Sequence, residues 1–99
     1  MITPVALTCV EPAGIGPEIA ARAWERLKDT QPFFWIGDPR HLPTGTPVCE
    51  IADPADCAAA MPAGLPVLRH AFAGAATPGQ PDPANAQGVI DVIARAVDL

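Results

Sequence analysis

The hydrophobic pattern in the first third of the chain predicts a strand, a helix and a second strand. Short apolar runs at residues 2–8 and 33–36 are bounded by proline and glycine, which is typical of strands of a parallel sheet, and we expect the first of them to be buried. Between them, residues 17 to about 29 predict an amphipathic helix. Its apolar stripe consists of Ile19, Ala20, Ala23, Trp24 and Leu27. Elements of this length and order form a parallel βαβ unit.

The pattern of the remaining residues predicts further strands and a last helix. Residues 46–51 and 65–70 predict strands, and the alanine-rich residues 54–61 predict one or two helical turns. Residues 73–83 are rich in turn formers and predict a loop. The pair Asp82-Pro83 is typical of a helix start, and an apolar stripe follows at Val89, Ile90, Ile93, Ala94 and Val97. In an alternating α/β pattern another core strand follows such a helix, so we expect an incomplete domain.

Composition and charge limit the size and the partners of this domain. The chain has 99 residues, which excludes a two-domain enzyme with an interdomain cleft in this chain alone. The hydrophobic share of 49% includes 19 alanines, so the core is expected to be thin. The net charge of −5 argues against nucleic acid and anionic membranes as partners. Because the chain has no long apolar run and no signal-peptide pattern, we expect a soluble protein of the cytosol.

Cysteine, histidine and aspartate give few signs of chemistry. Cys9, Cys49 and Cys57 form no C-x-x-C pair, so we interpret them as buried or half-buried thiols. His41 and His70 lack neighbours at ligand spacing and are interpreted as surface or capping residues, with no metal site. Aspartates beside prolines or turns are expected to cap backbone amides; they are Asp53, Asp56 and Asp82. The chain contains no serine, which excludes a serine nucleophile.

The glycine-rich segment after the first strand is the strongest functional signal. It reads Glu11-Pro12-Ala13-Gly14-Ile15-Gly16-Pro17-Glu18, and it matches neither the phosphate loop nor the dinucleotide fingerprint. The glycines alternatively serve only to turn the strand into its helix. Glu11 is placed at the carboxyl end of a strand, where open α/β sheets bind ligands.

Several segments resemble the 4-hydroxythreonine-4-phosphate dehydrogenases of vitamin B6 biosynthesis. The similarity lies in residues 10–20, in Ile36-Gly37-Asp38-Pro39, and in Pro78-Gly79-Gln80-Pro81 with Asn85 and the helix that follows. The resemblance covers the whole chain but only the amino-terminal third or so of a family member. Gly-Ile-Gly-Pro-Glu is also shared with the isopropylmalate and isocitrate dehydrogenases. The pattern departs from the family at Val10 and at Ala86, where glycine is usual.

The resemblance implies a fold, a reaction and a set of partners. The fold is α/β: part of a three-layer α/β/α domain of the isocitrate/isopropylmalate-dehydrogenase type with a mostly parallel sheet, of which residues 1–99 form the amino-terminal part. The intact protein is expected to be a cytoplasmic homodimer that oxidises 4-phosphohydroxy-L-threonine with NAD and a divalent metal (Zn, Mg or Co), with decarboxylation to 3-amino-2-oxopropyl phosphate. The segments that bind the metal and the phosphorylated substrate lie beyond residue 99 in the family.

No catalytic or metal-binding residue is therefore assigned within this chain, and no cofactor-binding residue is identified. This chain alone is expected to bind neither NAD nor the metal, and it is expected to be inactive. The residues expected to line the cleft are Glu11, Gly14, Ile15 and Gly16. Two alternatives remain open at this point. One is a paralogous dehydrogenase of another phosphorylated hydroxy acid or of a dihydrodiol, and the other is a non-catalytic α/β binding module.

Overall fold

The computed structural model describes residues 4–9, 13–74 and 79–99. It contains four strands, which are β1 (Val5–Thr8), β2 (Phe33–Gly37), β3 (Val48–Ile51) and β4 (Leu65–Arg69). The helices are α1 (Gly16–Leu27), α2 (Cys57–Ala60) and α3 (Ala86–Asp98). Short 3₁₀ turns at Pro39–His41, Pro54–Asp56 and Pro83–Asn85 each follow an aspartate. The predicted strands and helices are confirmed, with ends shifted by a few residues. Residues 2 and 3 of the first predicted strand and residues 75–78 of the predicted loop lie outside the described part.

The four strands form one parallel sheet in the order β1-β2-β4-β3. In the register, Leu7 lies beside Trp35, and Trp35 lies beside Val67. The chain therefore enters β3 at the far edge and returns through α2 to β4, which lies between β3 and β2. This architecture confirms the predicted α/β class with a parallel sheet.

The helices lie on opposite faces of the sheet. Successive strand residues point to opposite faces. Phe33 lines a groove together with Ile19 and Leu27 of α1, whereas Phe34 lines another with Ala96 of α3. Helix α2 borders Ile51, which the register places on the same face as Phe34. Helix α1 therefore covers one face, and α2 and α3 lie on the other.

The core is centred on β2 and β4. Trp35 and Val67 are fully buried in adjacent strands, and Trp24 of α1 packs on their face of the sheet. The Trp24 indole also donates a hydrogen bond of 2.8 Å to the carbonyl of Met61, which ties α1 to the turn before β4. Cys9 and Cys57 are buried and Cys49 is half-buried, which confirms their predicted environment, and burial raises the pKa of the Cys57 thiol.

The prediction that the first strand is buried is wrong. Within the described sheet β1 is an edge strand with β2 as its neighbour, and Val5 and Ala6 are exposed. The side chain of Ile19 is likewise half in solvent, although the stripe of α1 places it on the apolar side. Ala20 and Trp24 are buried as predicted, so α1 covers β2 and β4 more completely than β1.

The apolar stripe predicted for α3 is mostly exposed, so it is wrong as the side of the helix that packs on the sheet. Val92 is the residue of α3 that is buried, whereas Ile90 and Ile93 are exposed and Val97 is 79% exposed. The helix has apolar residues on two sides, so periodicity identifies the helix without identifying the side that packs. The sheet contacts come from the side that carries Val92, with Val89 and Ala96 partly buried against the core.

Gly88 has a packing role in α3. A glycine inside a helix costs about 1 kcal/mol relative to alanine. A Cβ atom at this position would lie 2.7 Å from the ring of Phe72, closer than packed atoms approach. The missing side chain therefore allows the segment after β4 to lie directly against the helix.

The helices in the described part of the chain do not combine the length and the hydrophobicity that a membrane-spanning helix needs.

Candidate ligand-binding edge of the sheet

The carboxyl ends of β2 and β4 form a topological switch point. The segment after β2 passes over the face that carries α1, because residues 43–47 line a cavity with that helix. The segment after β4 leads into α3 on the opposite face. Ligands of open α/β proteins bind outside the carboxyl ends of strands at such a point. We therefore take this part of the edge as the candidate site.

Asp38 connects the two strands at this point. It follows β2 directly, and its carboxylate accepts hydrogen bonds from the backbone N–H of Arg40 at 3.1 Å and of Phe72 at 3.0 Å. The guanidinium of Arg40 adds donors from Nε and Nη2, the latter at 2.8 Å. Arg40 Nη2 also donates to the Phe72 carbonyl at 2.9 Å. Every neighbour of the carboxylate in this set is a donor, which matches an ionised aspartate.

The electrostatics keep Asp38 charged. Its side chain is only 1% exposed, and burial by itself would raise the pKa of the carboxyl. Hydrogen bonds from the Arg40 side chain and from the amides of Phe72 and Arg40, together with the Arg40 charge, outweigh burial and hold that pKa well below its usual range. The hydrogen bond to Asp38 and the charge of Asp38 in turn raise the pKa of the Arg40 guanidinium.

His41 ends the same turn and is buried. Its Nε2 lies 2.9 Å from the carbonyl oxygen of Gly74, and because a carbonyl only accepts, Nε2 carries the proton. Its Nδ1 is buried without a hydrogen-bond partner among the described residues. The rings of His41 and His70 both meet the Phe72 ring edge-on, at 5.3 and 5.9 Å between centroids. The interpretation of His41 as a surface or capping residue is therefore wrong.

Asn85 holds the other end of the segment after β4. It is buried in the turn that begins α3, and its Oδ1 accepts a 2.8 Å hydrogen bond from the N–H of Gly74. A Cβ atom at Gly74 would overlap the carboxylate of Asp82, so the segment comes close to this turn only because glycine stands there. Asp82 in turn caps the turn through Ala84 N–H at 2.9 Å.

The residues predicted to line the cleft are only partly placed by the structure. Glu11 lies outside the described residues. Gly14 and Ile15 are exposed in the turn before α1, and Gly16 begins the helix. The N–H of Gly79 donates to the carbonyl of Ala13 at 2.9 Å, so this turn contacts the connection between β4 and α3. Positive φ angles occur at Gly45 and Gly79, and neither lies in this turn.

Sequence reasoning missed the residues that organise the edge, which are Asp38, Arg40, Phe72 and Asn85. A signal was present, because Asp38-Pro39 has the same form as the pairs at Asp53 and Asp82. Those two aspartates cap backbone amides as predicted, whereas Asp56 makes no capping hydrogen bond and its prediction is wrong. Asp38 differs because it follows a fully buried strand and reaches a second segment.

Other candidate sites are weaker. A cavity of about 520 Å³ lies between α1 and residues 43–47, on the helical face and away from the strand ends. Its charged side chains, Glu18, Arg22 and Glu25, are exposed, and we assign it no function because its position has no relation to the switch point. Within the described residues, no three His, Cys, Asp or Glu side chains gather as metal ligands would.

A parallel α/β sheet with polar groups concentrated at its switch point defines a class of proteins that bind small ligands at the strand ends. Comparison with known proteins narrows this class. No family model matches the chain. Its sequence does match curated proteins closely enough to show that it belongs to the 4-hydroxythreonine-4-phosphate dehydrogenase family, as an amino-terminal portion of a member.

Three relatives of that name illustrate the match. The protein from Roseobacter denitrificans is 58% identical over 95% of this chain, and that from Paracoccus denitrificans is 56% identical over 97%. The protein from Ruegeria sp. is 50% identical over 96%. The chain spans only 28 to 29% of the length of these relatives. The family predicted from the sequence segments is thereby confirmed.

Proposed function

We propose that these residues form the amino-terminal part of an NAD-dependent, divalent-metal-dependent dehydrogenase acting on 4-phosphohydroxy-L-threonine. The observation that carries the proposal is the 58% identity to a protein named for this activity. In the proposed reaction, the carbon bearing the 3-hydroxyl loses a hydride to NAD and the hydroxyl loses its proton. The resulting β-keto acid then loses CO₂ to give 3-amino-2-oxopropyl phosphate.

The residues described here do not fit the metal of that reaction. No cluster of three ligating side chains occurs among them, and the Nε2 of buried His41 is engaged by a carbonyl. The exposed turn at Gly14 and Ile15 does not by itself form a nucleotide cradle. We therefore place the metal and cofactor ligands in the part of the protein that the relatives have in addition, and we derive no chemical step from this chain.

The role that we propose for this chain is to form one wall of the ligand cleft. The support is the position of the Asp38 network at the switch point and the contact of Gly79 with the turn after β1. This wall belongs, in our proposal, to an incomplete α/β domain in a cytoplasmic homodimer. An apolar groove of about 240 Å³ between α1 and β1 supports the proposal that the domain is incomplete, because Val5, Ile19 and Leu27 line this groove and are exposed.

The test is an assay of NADH formation by the full-length gene product with 4-phosphohydroxy-L-threonine and a divalent metal. We expect NADH to form, and we expect the isolated 99-residue chain to form none under the same conditions. A chelator-treated sample serves as the metal control. A phosphorylated hydroxy acid without the amino group and a dihydrodiol serve as substrate controls.

Three outcomes of this assay contradict the proposal. Absence of NADH formation by the full-length gene product would overturn the proposed activity. Faster turnover of a control substrate would assign the protein to a paralogous dehydrogenase. NADH formation by the isolated chain would show that the catalytic groups lie within these residues.

A further inference from the structure

All four backbone polar groups of Phe72 and Gly74 are bound by side chains. The N–H and C=O of Phe72 meet Asp38 and Arg40, at 3.0 and 2.9 Å. The N–H and C=O of Gly74 meet Asn85 and His41, at 2.8 and 2.9 Å. This segment belongs to no strand or helix, so side chains supply the partners that regular structure would otherwise supply.

The four side chains come from two separate parts of the fold. Asp38, Arg40 and His41 belong to the turn after β2, and Asn85 belongs to the turn that begins α3. The segment between them is therefore fixed relative to the end of β2 and to the start of α3. We call these four side chains with their backbone partners the edge clamp.

Packing of the Phe72 ring strengthens the edge clamp. The ring is buried, it meets the imidazoles of His41 and His70 edge-on, and one of its edges lies against α3 at Gly88. The N–H of His70 also donates to the carbonyl of Gly37 at 2.9 Å, which continues the pairing of β4 with β2. The segment is thus held by packing as well as by hydrogen bonds, at the point where this class of fold binds ligands.

We propose that Asp38 and Asn85 are positioning residues for the dehydrogenase reaction, because they hold residues 70–74 in the conformation that forms the cleft wall. The proposal rests on the proposed function for its catalytic meaning. A loop held before the ligand arrives does not need to be ordered during binding, and this lowers the free-energy cost of reaching the productive complex. Neither residue needs to touch the substrate.

The test uses Asp38→Asn and Asn85→Ala in the full-length gene product. Asp53→Asn is the matched control, because Asp53 also starts an aspartate-proline 3₁₀ turn but is exposed and caps only Ala55, at 2.8 Å. Measurements are made at a temperature where circular dichroism shows each variant folded. We expect kcat/KM to fall by about 10- to 100-fold in the two clamp variants, the range found when groups that orient a site are removed. We expect the control to stay within about twofold, since exposed surface changes have small effects.

Amide hydrogen exchange tests whether the edge clamp holds its segment, independently of the reaction rate. In the unmodified protein the Phe72 and Gly74 amides should exchange slowly, and Asp38→Asn should accelerate Phe72 by at least about tenfold, as expected for loss of about 1.4 kcal/mol of local protection. Faster exchange with unchanged kcat and KM would show a purely structural role and overturn the proposal, as would slow exchange in both variants.

The two proposals fail in different ways. If the unmodified protein forms no NADH, the proposed function fails and the catalytic meaning of the clamp fails with it. The exchange rates then still decide whether the clamp exists. An active unmodified protein whose clamp variants retain full kcat/KM overturns the positioning role alone.

Discussion

Replacement of Trp35 by alanine is expected to remove most of the stability of the chain. Trp35 is 0% exposed in the central strand β2, with neighbours on both sides in β1 and β4. Removing a buried tryptophan costs about 3–5 kcal/mol, because the apolar contacts are lost and a cavity remains. Small domains unfold with about 5–15 kcal/mol in total. A thin, alanine-rich core leaves little in reserve, so Trp35→Ala should be largely unfolded at modest denaturant.

Guanidinium unfolding followed by circular dichroism measures this change, and Trp24 provides a second probe by fluorescence in the variant. Val48→Ala is the matched control, since Val48 lies on edge strand β3 and is partly exposed. We expect the control to lose less than about 1 kcal/mol. A Trp35→Ala transition that coincides with that of the unmodified chain would contradict the central place of Trp35 in the core.

Replacement of Asp38 by asparagine is expected to destabilise the chain by about 2–3 kcal/mol at pH 7, the range for hydrogen bonds to a buried charged group. The carboxylate receives only donors, from two backbone N–H groups and the Arg40 guanidinium. Each carboxylate oxygen accepts at least two hydrogen bonds. An asparagine places its NH₂ group at one of these two positions, so at least two hydrogen bonds are replaced by repulsive contacts.

The stability lost in Asp38→Asn should decrease as the pH falls into the acid range. The folded pKa of Asp38 lies below the value of about 3.9 expected in the unfolded chain. Its contribution is therefore fully present above that unfolded value and is lost as the pH falls toward the folded pKa. The stability difference between the unmodified chain and Asp38→Asn should be constant above about pH 5 and should shrink below about pH 4.

Urea unfolding at a series of pH values measures this dependence, and Asp53→Asn is again the control. Asparagine caps an exposed turn about as well as aspartate, so this control should change stability by less than about 0.5 kcal/mol. A difference for Asp38→Asn that stays constant down to acid pH would show that the carboxylate charge does not stabilise the network.

The order and type of the elements could be predicted from local pattern, because each strand and helix has its own spacing and its own proline or glycine boundary. The packing side of α3 could not. Val89, Val92 and Ala96 follow one line of 3, 4 spacing, and Ile90, Ile93 and Val97 follow the adjacent line, so spacing alone does not choose between them. The ring of Phe72 against Gly88 shows which side meets the sheet, and that contact joins residues from different elements.

The candidate site could be predicted only in its general place. The sequence indicates Glu11 and the glycines because they follow a strand, and the described part of that turn does contact the connection between β4 and α3 through Gly79. The network of Asp38 with Phe72 depends on β2 and β4 being neighbours. That adjacency follows from a strand order in which β3 is at the edge, and no local pattern contains it.

The recurring aspartate-proline pairs have a chemical consequence. An Asp–Pro peptide bond is the most acid-labile bond in ordinary polypeptides, because the side-chain carboxyl attacks its own carbonyl carbon and the basic proline nitrogen leaves readily. This chain has three such bonds, after Asp38, Asp53 and Asp82. In the folded chain the carboxyl of Asp38 is fixed by Arg40 and Phe72, whereas that of Asp53 is exposed. Mild acid should therefore cut a folded sample after Asp53 before it cuts after Asp38. The delay between these two cuts, measured from peptide masses, would report how long the hydrogen bonds of Asp38 persist.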